Sequence, residues 1–289
     1  MVNSMAAASN TTAPTQYLTA GDNTYAYRRF GSGPGAPLLF LQHFTGTLDN
    51  WDPSVTDPLA LGRPVILFES PGIGRSSGNV PETVAGMADH AMTFLDALSL
   101  AEVDVLGFSL GGMVAQVIAV KRPALLRRII LTGTGPAGGA GVAMDRPELL
   151  KIFVDQKMPP SDKLLKLFFE TTETSQSAGR KFVQRLARRT EDKDTPTSAE
   201  SAAAQLRAMA AWAKSGDEDH ADLKKITQPV LVTNGNNDIM IPTVNSFTLS
   251  AHLSNAQLII YPDSGHGSLF QHAGAFTSHV TEFLDRRDD

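Results

Sequence analysis

Residues 103–112, VDVLGFSLGG, constrain this chain more than any other segment. A strand-like apolar run leads into Gly107-Phe108-Ser109-Leu110-Gly111, a G-x-S-x-G, and a helical pattern follows over residues 112–121. A strand that turns directly into a helix leaves no room for side chains two before and two after the turning residue. That requirement accounts for Gly107 and Gly111, and the strained turn projects the Ser109 hydroxyl above the strand ends. The helix beginning there also offers free backbone N–H groups and the positive end of its dipole to the same hydroxyl. A G-x-S-x-G among 24 glycines can be an ordinary turn. The strand before and the helix after set this one apart.

Short apolar runs bounded by Gly, Pro or Asp recur at residues 25–30, 38–41, 65–68, 103–107, 128–131, 230–233 and 258–261. Helix-length patterns lie at 84–98, 112–121, 244–253 and 269–284, and this alternation predicts a doubly wound, mostly parallel α/β sheet. The alternation breaks between about 135 and 223. Helical segments follow one another there, at 148–156, 162–170, 175–188 and 199–213, punctuated by Pro147, Pro159-Pro160 and Pro196. Residues 136–223 are therefore expected to form an all-helical cap inserted into a core domain made of 17–135 and 224–289. Phe153, Met158, Phe168, Phe169, Met209 and Trp212 are candidates for a pocket above the strand ends, where such sheets bind ligands. Packing between helices is the commoner fate of any one of them. Residues 1–16 (MVNSMAAASNTTAPTQ) hold few large apolar groups and read as a disordered tail.

Composition closes several routes. Among 289 residues there is no cysteine, which removes thiolate catalysis, disulfides and cysteine-held zinc. The net charge is −5, and basic residues are scattered apart from Arg127-Arg128 and the group at 185–189, so nucleic acid is not expected as a partner. No apolar stretch approaches the roughly 18 residues of a membrane span, and no basic start precedes a long apolar run. A cytoplasmic protein acting on a small molecule is expected; oligomeric state leaves no trace in the sequence.

A serine hydroxyl is a weak nucleophile at neutral pH and needs a base, for which histidine is suited. Of seven histidines, His266 stands out in Pro262-Asp263-Ser264-Gly265-His266-Gly267, directly after the last strand pattern. His90, His252, His272 and His279 fall inside helical patterns and His220 in a charged linker, and no pair is spaced for a metal. The imidazole needs an acceptor to fix its tautomer. Asp238, in the loop leaving the strand before His266, is the favoured carboxylate, with Asp263 its rival three residues before the histidine.

With Ser109, Asp238 and His266 in that order, the chain from about Tyr17 onward resembles the α/β-hydrolase fold family, in the branch with a helical cap. The resemblance implies a cofactor-free serine hydrolase whose oxyanion hole uses the backbone N–H of Leu110 and one from the loop Leu41-Gln42-His43-Phe44-Thr45-Gly46. That family usually has His-Gly before the donating residue; here Gln42-His43 stands over the pair, which makes Phe44 the donor. His43 either touches substrate or packs beneath the loop. A second departure is Glu69, in Phe68-Glu69-Ser70-Pro71-Gly72, where aspartate is usual. A small or medium, mainly apolar ester is the expected substrate, split through an acyl-enzyme on Ser109. Amide, thioester and carbon–carbon bonds, a haloperoxidase use of peroxide, and a receptor that hardly turns over remain alternatives on the same scaffold. Dehalogenase and epoxide hydrolase chemistry would need aspartate in place of Ser109.

Overall fold

The runs LLFL, VILF and VDVLGF are buried along their whole length, as parallel strands covered on both faces must be. The computed structural model describes residues 9–216 and 219–286. Strands β1 (Gln16–Ala20), β2 (Asn23–Phe30), β3 (Leu38–Leu41), β4 (Val65–Phe68), β5 (Val103–Phe108), β6 (Leu126–Thr132), β7 (Val230–Gly235) and β8 (Ala256–Tyr261) form one sheet in the order β1-β2-β4-β3-β5-β6-β7-β8. The two pairings at the β1–β2 edge are antiparallel and the remaining five are parallel. The chain is thus a mostly parallel α/β sheet, as expected.

Strand order reverses between β3 and β5: from β3 the chain steps outward to β4, then returns to the other side of β3. Such a switch point opens a crevice at the carboxyl ends of the strands. The register pairs Leu41 with Gly107, Phe108 with Thr132, Thr132 with Thr233, and Gly235 with Tyr261. The loops that follow β3, β5, β7 and β8 therefore leave the sheet along one rim.

The helices are α1 (Pro53–Leu59), α2 (Val84–Ala97), α3 (Leu110–Lys121), α4 (Pro147–Val154), α5 (Pro160–Phe168), α6 (Glu173–Leu186), α7 (Ala199–Lys214), α8 (Ala221–Lys225), α9 (Val244–His252), α10 (Ser268–Gln271) and α11 (Ala273–Asp285). α4 to α7 occupy the strand-free stretch between β6 and β7, and Pro147 and Pro160 open α4 and α5 at the first helical position. One expected helix, 269–284, is broken into α10 and α11 at His272, whose backbone leaves the helical region (φ −105°, ψ 35°). α1 went unforeseen because Pro53 and Pro58 disguise it, yet Pro53 only opens it and Asp52 caps it by accepting from Ser54 N–H at 2.8 Å.

Two ion-pair clusters fasten the stretch between β6 and β7 to the rest of the fold, one at the cap of α1 and one at β2. Arg185 of α6 reaches both oxygens of the buried Asp52, at 2.6 to 3.0 Å. Arg28 of β2, fully buried, pairs with Asp49 at 2.8 Å and with Asp194 at 2.9 Å, and the two aspartates exchange backbone N–H to carboxylate bonds. The expected tail divides: residues 1–8 lie outside the described residues, whereas Ala13 is fully buried, Asn10 bonds Trp51 C=O and Asp57, and Arg189 holds the carbonyls of Asn10 and Ala13. Residues 9–15 are therefore anchored at Asn10 and Ala13, while Thr12 and Pro14 between and beside them are exposed. Among the described residues, no helix is long and apolar enough to cross a membrane.

Candidate active site

Ser109 sits at φ 55°, ψ −119°, between the end of β5 and the first residue of α3. A non-glycine residue holds so strained a backbone only where its surroundings fix it. Those surroundings are specific. A Cβ on Gly107 would stand 2.5 Å from Gly111 C=O, and one on Gly111 would overlap Leu41 C=O. Ser109 N–H donates to Thr132 C=O at 2.9 Å, and Thr134 Oγ1 donates to Ser109 C=O at 2.7 Å. The hydroxyl itself is buried and bonds to no described residue.

The imidazole of His266 is held from the other side. Its Nδ1 lies 2.7 Å from Asp238 Oδ2, with both side chains fully buried. The other oxygen of Asp238 accepts from Met240 N–H at 2.7 Å and Ile241 N–H at 2.9 Å. A carboxylate can only accept, so Nδ1 carries the hydrogen and Nε2 presents its lone pair. Nε2 is buried and unpartnered, like the Ser109 hydroxyl. The ring lies against Phe108, beside Ser109 in sequence, at 4.9 Å between centroids, and against Phe168 at 5.4 Å. Asp263 is engaged elsewhere: its Oδ1 accepts from Thr172 Oγ1, at the start of α6, at 2.8 Å. Five of the other six histidines are tied into the fold away from this rim. His90 and His279 bond tyrosine hydroxyls, His252 and His272 bond backbone carbonyls, and His220 packs on His252.

The loop after β3 lies across the switch point from Ser109. Neither the backbone N–H of Phe44 nor that of Leu110 donates to a described residue. His43 binds its neighbour's carbonyl, Nδ1 to Phe44 O at 2.8 Å, and its ring packs edge-on against Phe108 and Phe168, both at 5.3 Å. Burial lowers the His43 pKa to about 4, with the nearby His266 acting in the same direction, so the ring is neutral around pH 7. Glu69 lies beneath this loop. It accepts from Arg75 N–H at 2.7 Å and Leu48 N–H at 3.4 Å, yet burial pushes its pKa up to about 8, with Asp194 adding to the rise.

Ser109, His43, Phe44 and Phe168 line a cavity of about 750 Å³ walled in part by α4, α5 and α7. Its walls are mostly apolar, with Phe153, Leu164, Leu167 and Leu206, while Thr47, Asp49, Asn50 and Asp194 form a polar end. Lys163 is the one basic residue among the described lining residues, and its ammonium already donates to Phe153 C=O at 2.8 Å. Two aromatic residues expected in this pocket lie elsewhere. Phe169 packs on Phe182, and Trp212 borders a separate cavity of about 390 Å³ beside α2, α3 and α8. Trp212 is six residues beyond Leu206, which at about 100° per residue puts it on another face of α7. Met240, Thr197 and Gln205 were not foreseen near the site, since nothing local in the sequence indicates which face of a loop or helix meets it. Among the described residues, no group of three or more His, Asp or Glu is arranged to hold a metal.

The fold and this rim of residues define an α/β-hydrolase. A family model described as alpha/beta hydrolase fold matches residues 36–273, and the chain belongs to that family of enzymes. Among solved structures it is similar to an alpha/beta hydrolase fold protein from Chitinophaga pinensis, 40% identical, covering 97% of this chain and 100% of that one with a TM-score of 0.90. It is also 29% identical over 281 residues to a 2-hydroxymuconate semialdehyde hydrolase of Pseudomonas sp. (strain CF600), covering 89% of each. A poly(3-hydroxyalkanoate) depolymerase of Ectopseudomonas oleovorans is 31% identical over 225 residues, 77% of this chain and 75% of that protein.

Proposed function

We propose that the protein is a serine hydrolase that splits small to medium, uncharged and mainly apolar esters through an acyl-enzyme on Ser109. The observation that supports this reading is a strained, buried serine at the strand-to-helix turn on the same rim as a histidine whose tautomer is fixed by a buried carboxylate, with Ser109 Oγ and His266 Nε2 both uncommitted among the described residues. His266 Nε2 takes the proton from Ser109 as its oxygen attacks the acyl carbon, and Asp238 stabilises the imidazolium. The free N–H groups of Phe44 and Leu110 receive the oxyanion of the tetrahedral intermediate. His266 then returns the proton to the departing alkoxide, and a water activated by the same imidazole releases the acid. In this reading residues 136–223 act as a cap that supplies most of the pocket wall, and the enzyme works in the cytoplasm without a cofactor.

A second reading, cleavage of a carbon–carbon bond next to a ketone, draws support from the 2-hydroxymuconate semialdehyde hydrolase relative. The two differ in the charge they ask the pocket to hold. A carboxylate-bearing substrate calls for a cation to meet it. Among the described lining residues Lys163 is the one basic group and already donates to Phe153 C=O, and the Arg28 guanidinium nearby is engaged by Asp49 and Asp194, which favours a neutral ester. A panel of p-nitrophenyl esters of rising acyl length, run beside a 2-hydroxy-6-oxo-dienoate with Ser109→Ala as control, tests the choice. Turnover of the esters with none of the dienoate supports the first reading, and the reverse supports the second.

A further inference from the structure

The loop after β3 is held in place from the inserted helices, and both contacts converge on one residue. Thr45 N–H donates to Gln205 Oε1 of α7 at 2.8 Å, and Thr197 Oγ1, just before α7, donates to Thr45 C=O at 2.8 Å. Thr45 is the residue directly after Phe44 and has φ 61°, a left-handed conformation that a β-branched side chain disfavours. Nothing in its own side chain stabilises that conformation; the two bonds from the α7 side grip the residue on both polar groups. Within the loop, His43 fixes Phe44 C=O, Gly46 N–H donates to His43 C=O at 3.0 Å, and Gln42 reaches Thr47 C=O at 2.8 Å. One backbone donor of the turn, Phe44 N–H, is left free by all these contacts.

We infer that Gln205 and Thr197 are positioning residues that aim the Phe44 N–H at the oxyanion, so that seating of α7 assembles the oxyanion hole. This rests on the serine-hydrolase reading above. A loop released from α7 lets Thr45 relax to negative φ, which turns the adjoining peptide and swings the Phe44 N–H away from the reacting oxygen. The loss falls on the transition state, where the oxygen is charged, rather than on binding of the neutral substrate.

The test uses the full chain and two probes that need no knowledge of the natural substrate: the rate of Ser109 labelling by a fluorophosphonate, and the affinity of phenylboronic acid, which forms a tetrahedral adduct. Thr197→Val removes only the hydroxyl, Thr197→Ser keeps it, and Gln205→Met removes the acceptor at similar volume. Removing a whole oxyanion donor typically costs about 100-fold or more, so misaiming one is expected to cost about tenfold in both readouts for Thr197→Val and Gln205→Met. Thr197→Ser is expected to restore the wild-type values. Thr197→Val matching wild type in both readouts, or Thr197→Ser failing to rescue it, overturns the positioning role. Absence of wild-type labelling at Ser109 overturns the serine-hydrolase reading itself, and with it this role.

Discussion

His266 and Asp238 meet at 2.7 Å through Nδ1 and Oδ2, with no solvent reaching either side chain. The carboxylate is itself held by the N–H groups of Met240 and Ile241, so it cannot rotate away without leaving backbone donors buried and unpaired. Asp238→Asn keeps the shape but offers an amide N–H toward Nδ1 and favours the wrong tautomer. Turnover of p-nitrophenyl butyrate is expected to fall about 10³- to 10⁴-fold with circular dichroism unchanged. Asp263→Asn, which cuts only the contact to Thr172, is expected to stay within a few-fold of wild type. The opposite ranking would make Asp263 the acid.

Gly111 faces the carbonyl of Leu41 with no room for a methyl group. Gly111→Ala must push β3 and its loop away from the start of α3, at a cost of about 1–3 kcal/mol. Urea denaturation should show a lower midpoint with an unchanged slope, and labelling at Ser109 should slow as well.

Glu69 gives a pH signature. Burial raises its folded pKa from 4.5 to about 8, so between these values the unfolded chain has released a proton that the folded chain retains. Stability contributed by the neutral carboxyl is therefore full below pH 4.5, falls as pH rises, and is lost by about pH 8. Glu69→Gln cannot ionise and should flatten the decline of the melting temperature between pH 5 and 8, becoming the more stable form at the upper end. A decline as steep in the variant as in wild type would assign it to other groups.

The fastening of α6 to α1 through Arg185 and Asp52 is mostly buried, and removal of one partner leaves an uncompensated charge. Arg185→Met is expected to destabilise by about 3 kcal/mol or more. In a double-mutant cycle with Asp52→Asn, the two changes together should cost clearly less than the sum of each alone. Strict additivity would show that the contact does not couple α6 to α1.

The parts of this site legible in the sequence are those fixed by chain-local rules. The glycines around Ser109 follow from the geometry of one turn, and Asp238 and His266 each stand a few residues past a run whose apolar character marks it as a strand. β1 escaped notice because QYLTA is short and alternates half-buried with exposed residues on the sheet edge. Arg28 and Asp194, 166 residues apart, carry no local sign of their pairing. The face each helix turns to the cavity depends on packing between helices, which no local pattern encodes: Phe168 lines the cavity beside Ser109 while its neighbour Phe169 packs on Phe182 and Trp212 borders another cavity.

The covalent intermediate is the most direct test of the mechanism. The protein is mixed with p-nitrophenyl acetate, quenched in acid within milliseconds to seconds, digested and read by mass spectrometry. An acetyl group on the peptide carrying Ser109, absent from Ser109→Ala and accumulating in His266→Ala only at a greatly reduced rate, is the predicted result. A wild-type enzyme that turns over the ester with Ser109 unmodified, or a Ser109→Ala protein that turns it over as fast, would contradict the account.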